Sequence, residues 1–505
     1  MTPLGSPIKR KRSKVVVMNV QPPTPPSSQL PRVLGPWMAT ALVIGTVIGS
    51  GVFKKAASVA QIPDFGLVMS AWVLAGILTL FGALALAEVA VLLPRAGGNY
   101  VYLKESYGRV AGFLWGWVEF WMIRAGSIAA LATVFTMSIH DVLRQTKGGD
   151  VLTFWQKQAM TMTVIFALSL LNARGTRLGG ILQVVVTTVK VASLLLVALL
   201  PFLVIALVSD PRATPTTANM SPTWPSAWLK VDWSVFGGAL VGIFFAYHGW
   251  MNIAPVAEEV TNPQRNLPLA LLVGVCTCIV LYVSANAAYY LIIPRNDLLN
   301  LTERTVVGEF SFRLLGSFGL MVASCAVMIS VFGALNGNLL VGPRLLFAMG
   351  RDGLAPRSLA QLHPRYLTPA RATFVLAGWS ILLVFLASLL IQNRLPTFSL
   401  SGWTIDPNLP PKKELFDVVT DFAMFGAISF ETLAVASLFV LRPRTRNEQV
   451  PYRCPFYPWL PIVYVTCMTA VLINMFWTQR TESLVGLGFM VVGLVVYALF
   501  LRKAH

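Results

Sequence analysis

The chain has 505 residues, 56% of them hydrophobic and only 12% charged, with a formal net charge of +18. That balance excludes a soluble globular domain, and repeated apolar runs of about 20 residues describe a polytopic helical membrane protein. The basic excess is assigned to the membrane surface and implies no nucleic-acid partner.

The N-terminal stretch 1–34 is basic and Pro-rich, with Lys9, Arg10, Lys11, Arg12 and Lys14 clustered. It reads as a disordered cytoplasmic tail held against anionic lipid; a nuclear signal is the competing reading of the cluster. No cleavable signal peptide is visible. Twelve spans follow, at roughly 36–60, 66–93, 110–138, 153–172, 179–208, 234–259, 268–293, 317–349, 371–392, 415–441, 457–477 and 483–501.

The first span contains GTVIGSGVF at 45–53. Gly49 and Gly51 each cost a helix about 1 kcal/mol relative to alanine. Unwound backbone at membrane depth is tolerated only where it is buried in protein or lines a wet cavity. A break here leaves free N–H groups at the start of a second half-helix, beside its positive dipole end, which suits a carboxylate. A helix-packing face of small residues is the alternative reading. The sixth span is interrupted at Phe244–Asn252, and paired breaks in two halves of a chain point to a transporter's central site.

The loops agree with one orientation. Arg95, Lys104 and Arg109, then Arg174 and Arg177, Arg265, Arg351 to Arg371, and Arg442 to Arg453 fall on one side with few acids. The opposite loops mix signs, so the positive-inside rule puts both termini in the cytoplasm. The first cytoplasmic loop, PRAGGNYVYL at 94–103, is amphipathic enough to lie along the membrane surface. The external loop at 210–232 is expected to be irregular, and the one at about 393–414 carries turn signals without chemistry. No domain boundary interrupts the chain. It divides into the tail 1–34, a first five-span half over 35–208, a second over 209–441, and two trailing helices in 442–505. The five cysteines show no metal-ligand spacing and read as packing residues without disulfides.

Charges inside spans are functional candidates because burying them is costly. Lys190 stands alone in an apolar span, too far from either end to snorkel easily. Arg124 is mid-span, where pairing to a neighbouring helix and a substrate role are both open. Glu88, Glu258 and Glu259 lie toward cytoplasmic ends, in solvated or gate-pairing positions. Asn336 fits a polar pocket or a helix–helix hydrogen bond, and Ser429 and Phe430 are weaker pocket candidates. Nothing points to an enzyme, a metal or a cofactor. The carboxylates nearest in sequence to His248, Glu258 and Glu259, would be ~15 Å away on a continuous helix.

Together GTVIGSGVF at 45–53, PRAGGNYVY at 94–102, FAYHGW at 245–250, Glu258 and Glu259 with NPQRNLP at 262–268, GALNG at 333–337 followed by Arg344, and VPYRCPFYPWLP at 450–461 resemble the amino acid–polyamine–organocation superfamily. They are most similar to its L-type amino acid transporter branch, over roughly 36–477. The resemblance implies an all-α membrane protein of twelve helices, a LeuT-type inverted repeat of five plus five with helices 1 and 6 broken, and alternating access. It implies substrate contacts at Thr46, Val47, Ser50, Gly51, Phe245, Ala246, His248, Met251 and Asn336. Backbone N–H groups around Ser50 and Gly51 would take the carboxylate. Carbonyls of Phe245, Ala246 and His248 would take the ammonium, with Phe245 as the gate. Lys190 would replace the sodium ion of sodium-coupled relatives. His248 stands where the L-type light chains commonly have glycine, and the Lys54–Lys55 pair is also unusual. No cysteine lies between 139 and 153 for a disulfide to a glycoprotein heavy chain, so no such partner is expected.

The expected function is sodium-independent secondary transport of neutral L-amino acids, as an exchanger or uniporter, in the cell membrane. Rival readings are a proton-coupled symporter, a polyamine carrier and a non-transporting amino acid sensor. No carboxylate lies within either broken stretch, which disfavours cationic substrates. The expected partners are the amino acid and membrane lipid.

Overall fold

The computed structural model describes residues 30–149, 151–207, 212–301, 304–392, 398–400, 403–405, 415–445 and 449–501. The expected tail lies outside these residues as far as position 29, and so does most of the 393–414 loop.

The chain is helical almost throughout. Helix α1 (Pro36–Val47) opens with proline at its first position, where a missing N–H costs nothing. It stops at Ile48, and α2 (Gly51–Val59) resumes after a break. Then come α3 (Phe65–Leu92), α4 (Asn99–Tyr107) and α5 (Arg109–Val118). A π turn at Glu119–Arg124 joins α5 to α6 (Ala125–Lys147). Helix α7 (Phe154–Ala173) starts at a capping box between Thr153 and Gln156, and α8 (Thr176–Leu207) follows. Helix α9 (Trp233–Tyr247), capped by Asp232, breaks at His248 and continues as a 3-10 stretch, Trp250–Glu259. The remainder is α10 (Pro263–Ile292), α11 (Arg295–Leu299), α12 (Val306–Arg351), α13 (Ala370–Gln392), α14 (Leu415–Arg444), α15 (Trp459–Thr478) and α16 (Arg480–Val496).

Among the described residues, ten helical segments are long and apolar enough to cross a membrane. Helix α1 packs on α8, α10 and α12, and α3 lies along α10. The middle of the bundle is therefore made by the broken elements. Helices α8 and α16 turn Leu195, Leu199, Phe202, Val491 and Val492 outward, as lipid-facing helices do.

Four features differ from expectation. The α5–α6 segment runs nine residues past 138 because polar residues ended the apolar run without ending the helix. Helix α12 starts at Val306 and kinks at Gly316, whose φ of 63° is open to glycine, so only the part after the kink matches the expected span from 317. The segment at 94–103 does not lie flat on the surface: Asn99–Leu103 are buried and α4 packs against α14. The expected 393–414 loop contains a short antiparallel hairpin, Phe398–Leu400 with Trp403–Ile405, within a fold that is otherwise helical. The five cysteines are unpaired, as expected.

One end of the bundle is sealed by ion pairs. Arg344 Nε donates to Glu259 Oε1 at 2.7 Å, with Thr176 donating to the other oxygen at 2.7 Å. Glu258 accepts from Arg351 at 3.0 Å and from the Ala96 N–H at 3.0 Å. Asp352 accepts from Lys104 and Tyr100, each at 2.7 Å, and Arg442 meets Glu88 at 3.2 Å. The carboxylates placed toward cytoplasmic ends are thus all paired. Arg344 and Glu259 are fully buried, so removing one partner strands the other charge. Arg344→Ala is expected to cost about 3–5 kcal/mol, read as a large drop in melting temperature of the detergent-solubilised protein. An unchanged melting temperature would refute this role.

Candidate functional site

The two breaks lie against each other at the centre. A Cβ placed on Gly51 would stand 2.7 Å from the Ala246 Cα, and one on Gly249 would stand 2.8 Å from the Thr46 carbonyl oxygen. Gly249 also has a φ of 108°, a conformation that side chains resist. Thr46 Oγ1 donates to the Gly249 carbonyl at 3.0 Å, tying the breaks together. The N–H groups of Ser50, Gly51 and Val52 have no protein acceptor among the described residues. They form the open end of α2, where a helix dipole favours an anion.

The carbonyls of Gly45, Val47, Ile48 and Gly49, at and just past the end of α1, face donors from other helices. Lys190 Nζ, on α8, donates to Gly45 at 2.7 Å and to Ile48 at 2.6 Å. The Tyr282 hydroxyl, on α10, lies 2.9 Å from the Val47 carbonyl and 3.0 Å from that of Ala246. Ser330 Oγ, on α12, donates to Ile48 and Gly49 at 3.2 Å. Lys190 therefore joins α1, α8 and α12, and its stem rests against Gly333, where a Cβ would fall 2.8 Å from Cε. Of the carbonyls assigned to an ammonium group, Ala246 shares the single Tyr282 hydroxyl proton with Val47, and Phe245 accepts from the His248 N–H at 3.2 Å. Each keeps one lone pair.

A cavity of about 1320 Å³ opens from the end opposite the ion pairs and reaches Phe245, Val241, Gly242 and Met424. Lys55 sits on its floor, 5.4 Å from the centre of the Phe245 ring. Lys55, Arg144, Lys157 and Arg304 line it, against Asp141. Ser50, Gly51, Val47 and Met251 are buried beyond Phe245. Asn336 is not brought to them by its side chain. It is fully buried between α7 and α8, accepting from Asn172 at 3.0 Å and donating to Gly179 at 3.2 Å and Gln183 at 2.9 Å.

Beside the second break lies a polar cluster that a local reading of the sequence misses. His248 Nε2 is 3.1 Å from Glu431 Oε1 on α14, so the carboxylate for His248 comes from another helix. Arg124 Nε donates to Glu119 Oε1 at 2.8 Å, and its other nitrogens donate to Asn338 at 2.6 Å and Asn252 at 2.9 Å. Residues five apart meet because the π turn carries an i to i+5 repeat, a device common at functional sites. Two voids of about 20 and 10 Å³ flank the His248–Glu431 pair, and both residues line both voids. The carboxylates nearest to His248 in sequence would lie ~15 Å away on a continuous helix, and the one that meets it, Glu431, is distant in sequence. The signal was available: Glu119 and Glu431 interrupt apolar spans just as Lys190 does.

Two half-broken helices meeting inside a bundle of long apolar helices, with a cavity reaching them from one face, define a secondary transporter. The chain belongs to the amino acid permease family, whose model matches residues 34–500. It is 30% identical over 471 residues to the serine/threonine exchanger SteT of Bacillus subtilis, covering 93% of this chain and 96% of that protein. It is 27% identical over 489 residues to the human cystine/glutamate transporter, covering 96% and 88%. It is 27% identical over 480 residues to the human large neutral amino acids transporter small subunit 2, covering 94% and 82%. The family and these relatives are transporters, not enzymes. With its apolar helices, the chain is a multi-pass membrane protein.

Proposed function

We propose that this protein carries neutral L-amino acids across the cell membrane without sodium, by alternating access at the paired breaks. The observation that carries the proposal is Lys190 Nζ within 2.7 Å of the Gly45 and Ile48 carbonyls. A fixed positive charge there neutralises the negative end of α1 and does the structural work of a bound cation.

The substrate carboxylate would bind the free N–H groups at Ser50 and Gly51, and the ammonium the remaining lone pairs of Phe245, Ala246 and His248. Thr46 and Val47 shape that space, Met251 closes it, and Phe245 gates it from the large cavity. Asn336 belongs, in this reading, to the α7–α8–α12 packing. The ten long helices, together with α7 and the broken α1–α2 pair, make up the twelve spans of a LeuT-type arrangement. The halves would be 35–208 and 209–441, with the tail 1–34 before them and 442–505 after. Basic loops on the ion-paired side support cytoplasmic termini and a cavity facing out. A disulfide-linked heavy chain is not part of the proposal, since residues 139–153 contain no cysteine.

Preference for neutral side chains is supported by the basic lining of the cavity, which repels cationic substrates. Competition against radiolabelled leucine tests it. Serine, alanine and leucine are expected to compete at least about tenfold better than arginine or lysine, a difference of ~1.4 kcal/mol. Arginine competing as well as leucine would refute the preference.

A further inference from the structure

Inside the bundle, an ionised group needs an opposite charge or a set of aimed dipoles, such as the α1 carbonyls around Lys190, and a carboxylate needs a cation or donors. Arg124 spends its charge on Glu119 and its remaining donors on Asn252 and Asn338. Glu431 is then left with His248 as its only close basic partner among the described residues. The other groups facing the pair are Tyr464 from α15 and Tyr247 from α9, both neutral phenols. Neutrality of the cluster therefore requires one proton held between His248 and Glu431.

The position of the pair suits exchange of that proton with either side. The smaller void runs from the pair to Met424, which also lines the large cavity. The larger runs from the pair to Gly97, Asn99 and Pro255, beside the sealed end. Its volume of about 20 Å³ is enough for one water, since a cavity needs ~10–15 Å³ to hold one. Asn99 Oδ1, on that side, is buried without a hydrogen-bond partner, as expected of a group that meets a water. His248 is itself the residue at which the second helix breaks, so movement of the break moves the imidazole.

We propose that the His248–Glu431 pair is a proton-binding site that couples amino acid movement to one proton. With the large cavity open, the pair takes its proton from the water on that side. After the breaks reorient, the pair gives the proton to water on the other side, and one positive charge has crossed with each zwitterionic substrate. Lys190 keeps its proton throughout. The inference rests on the transport reading given above and adds the driving ion.

The test uses proteoliposomes with potassium and valinomycin clamping the voltage, and L-serine and L-leucine as probes. One pH unit, acid outside, should drive accumulation up to about tenfold in wild type, the ratio that one proton per substrate allows. A trapped pH dye should report acidification that follows substrate addition. Glu431→Gln, which keeps the shape, should lose both responses while retaining amino acid counterflow at symmetric pH. Wild-type counterflow without accumulation or acidification would overturn proton coupling but leave the transport reading intact. Undiminished pH-driven accumulation by Glu431→Gln would overturn the pair as the proton site and likewise leave the transport reading intact. Absence of counterflow for all twenty amino acids would instead sink the transport reading. Nitrogen NMR of labelled histidine then decides the site by itself. The His248 signal, identified by its loss in His248→Gly, should be imidazolium at neutral pH in wild type and neutral in Glu431→Gln. Identical spectra would reject the shared proton.

Discussion

Lys190→Ala is expected to reduce amino acid uptake at least about tenfold, and added sodium is not expected to be needed by the wild type. The lysine supplies donors to the Gly45 and Ile48 carbonyls in a fully buried position. Without it the Ile48 carbonyl keeps only the weaker Ser330 bond at 3.2 Å and the Gly45 carbonyl loses its side-chain donor, and a buried group left unpaired costs about 1–3 kcal/mol. The end of α1 then loses its link to α8, which is what lets the break move as a unit. Uptake into proteoliposomes, normalised to incorporated protein, checks this. Wild-type rates in Lys190→Ala would remove the lysine from the mechanism.

Two substitutions only two residues apart should behave in opposite ways. Gly51→Val should lower transport at least ~100-fold, equivalent to ~2.8 kcal/mol. Its Cβ would stand 2.7 Å from the Ala246 Cα, a backbone atom that cannot step aside without parting the two breaks. The contact is also structural, so part of the loss is expected to come from packing between the breaks. Gly49→Ala is the matching control. A Cβ there meets nothing closer than Ala334 Cβ at 3.9 Å, so uptake should stay within a few fold of wild type. Equal loss in both variants would show that glycine flexibility, not close approach, is what the stretch requires.

What the sequence discloses is what sits within one or two turns of helix. The breaks at 45–53 and 244–252 are legible because glycine beside polar residues is local punctuation in an apolar run. Lys190 is legible because a lone ammonium in hydrocarbon has no cheap explanation. The meeting of Gly51 with Ala246, and of Thr46 with Gly249, is not legible, because each involves packing between distant spans. The same applies to His248, whose carboxylate arrives from α14 while its sequence neighbours Glu258 and Glu259 turn to Arg351 and Arg344. The Glu119–Arg124 pair is hidden for a further reason. At α-helical spacing, residues five apart do not share a face, and only the π turn brings them together.

The tests differ in what they separate. Arg344→Ala reads the sealed end, Gly51→Val the contact between breaks, and Glu431→Gln the proton. Sodium independence bears on the central claim, because it depends on Lys190 standing in for a cation. The direct measurement is counterflow of radiolabelled L-serine and L-leucine into proteoliposomes in choline medium, with and without sodium. Equal rates in the two media, both collapsing in Lys190→Ala, are the predicted result. Counterflow that appears only when sodium is present would contradict it.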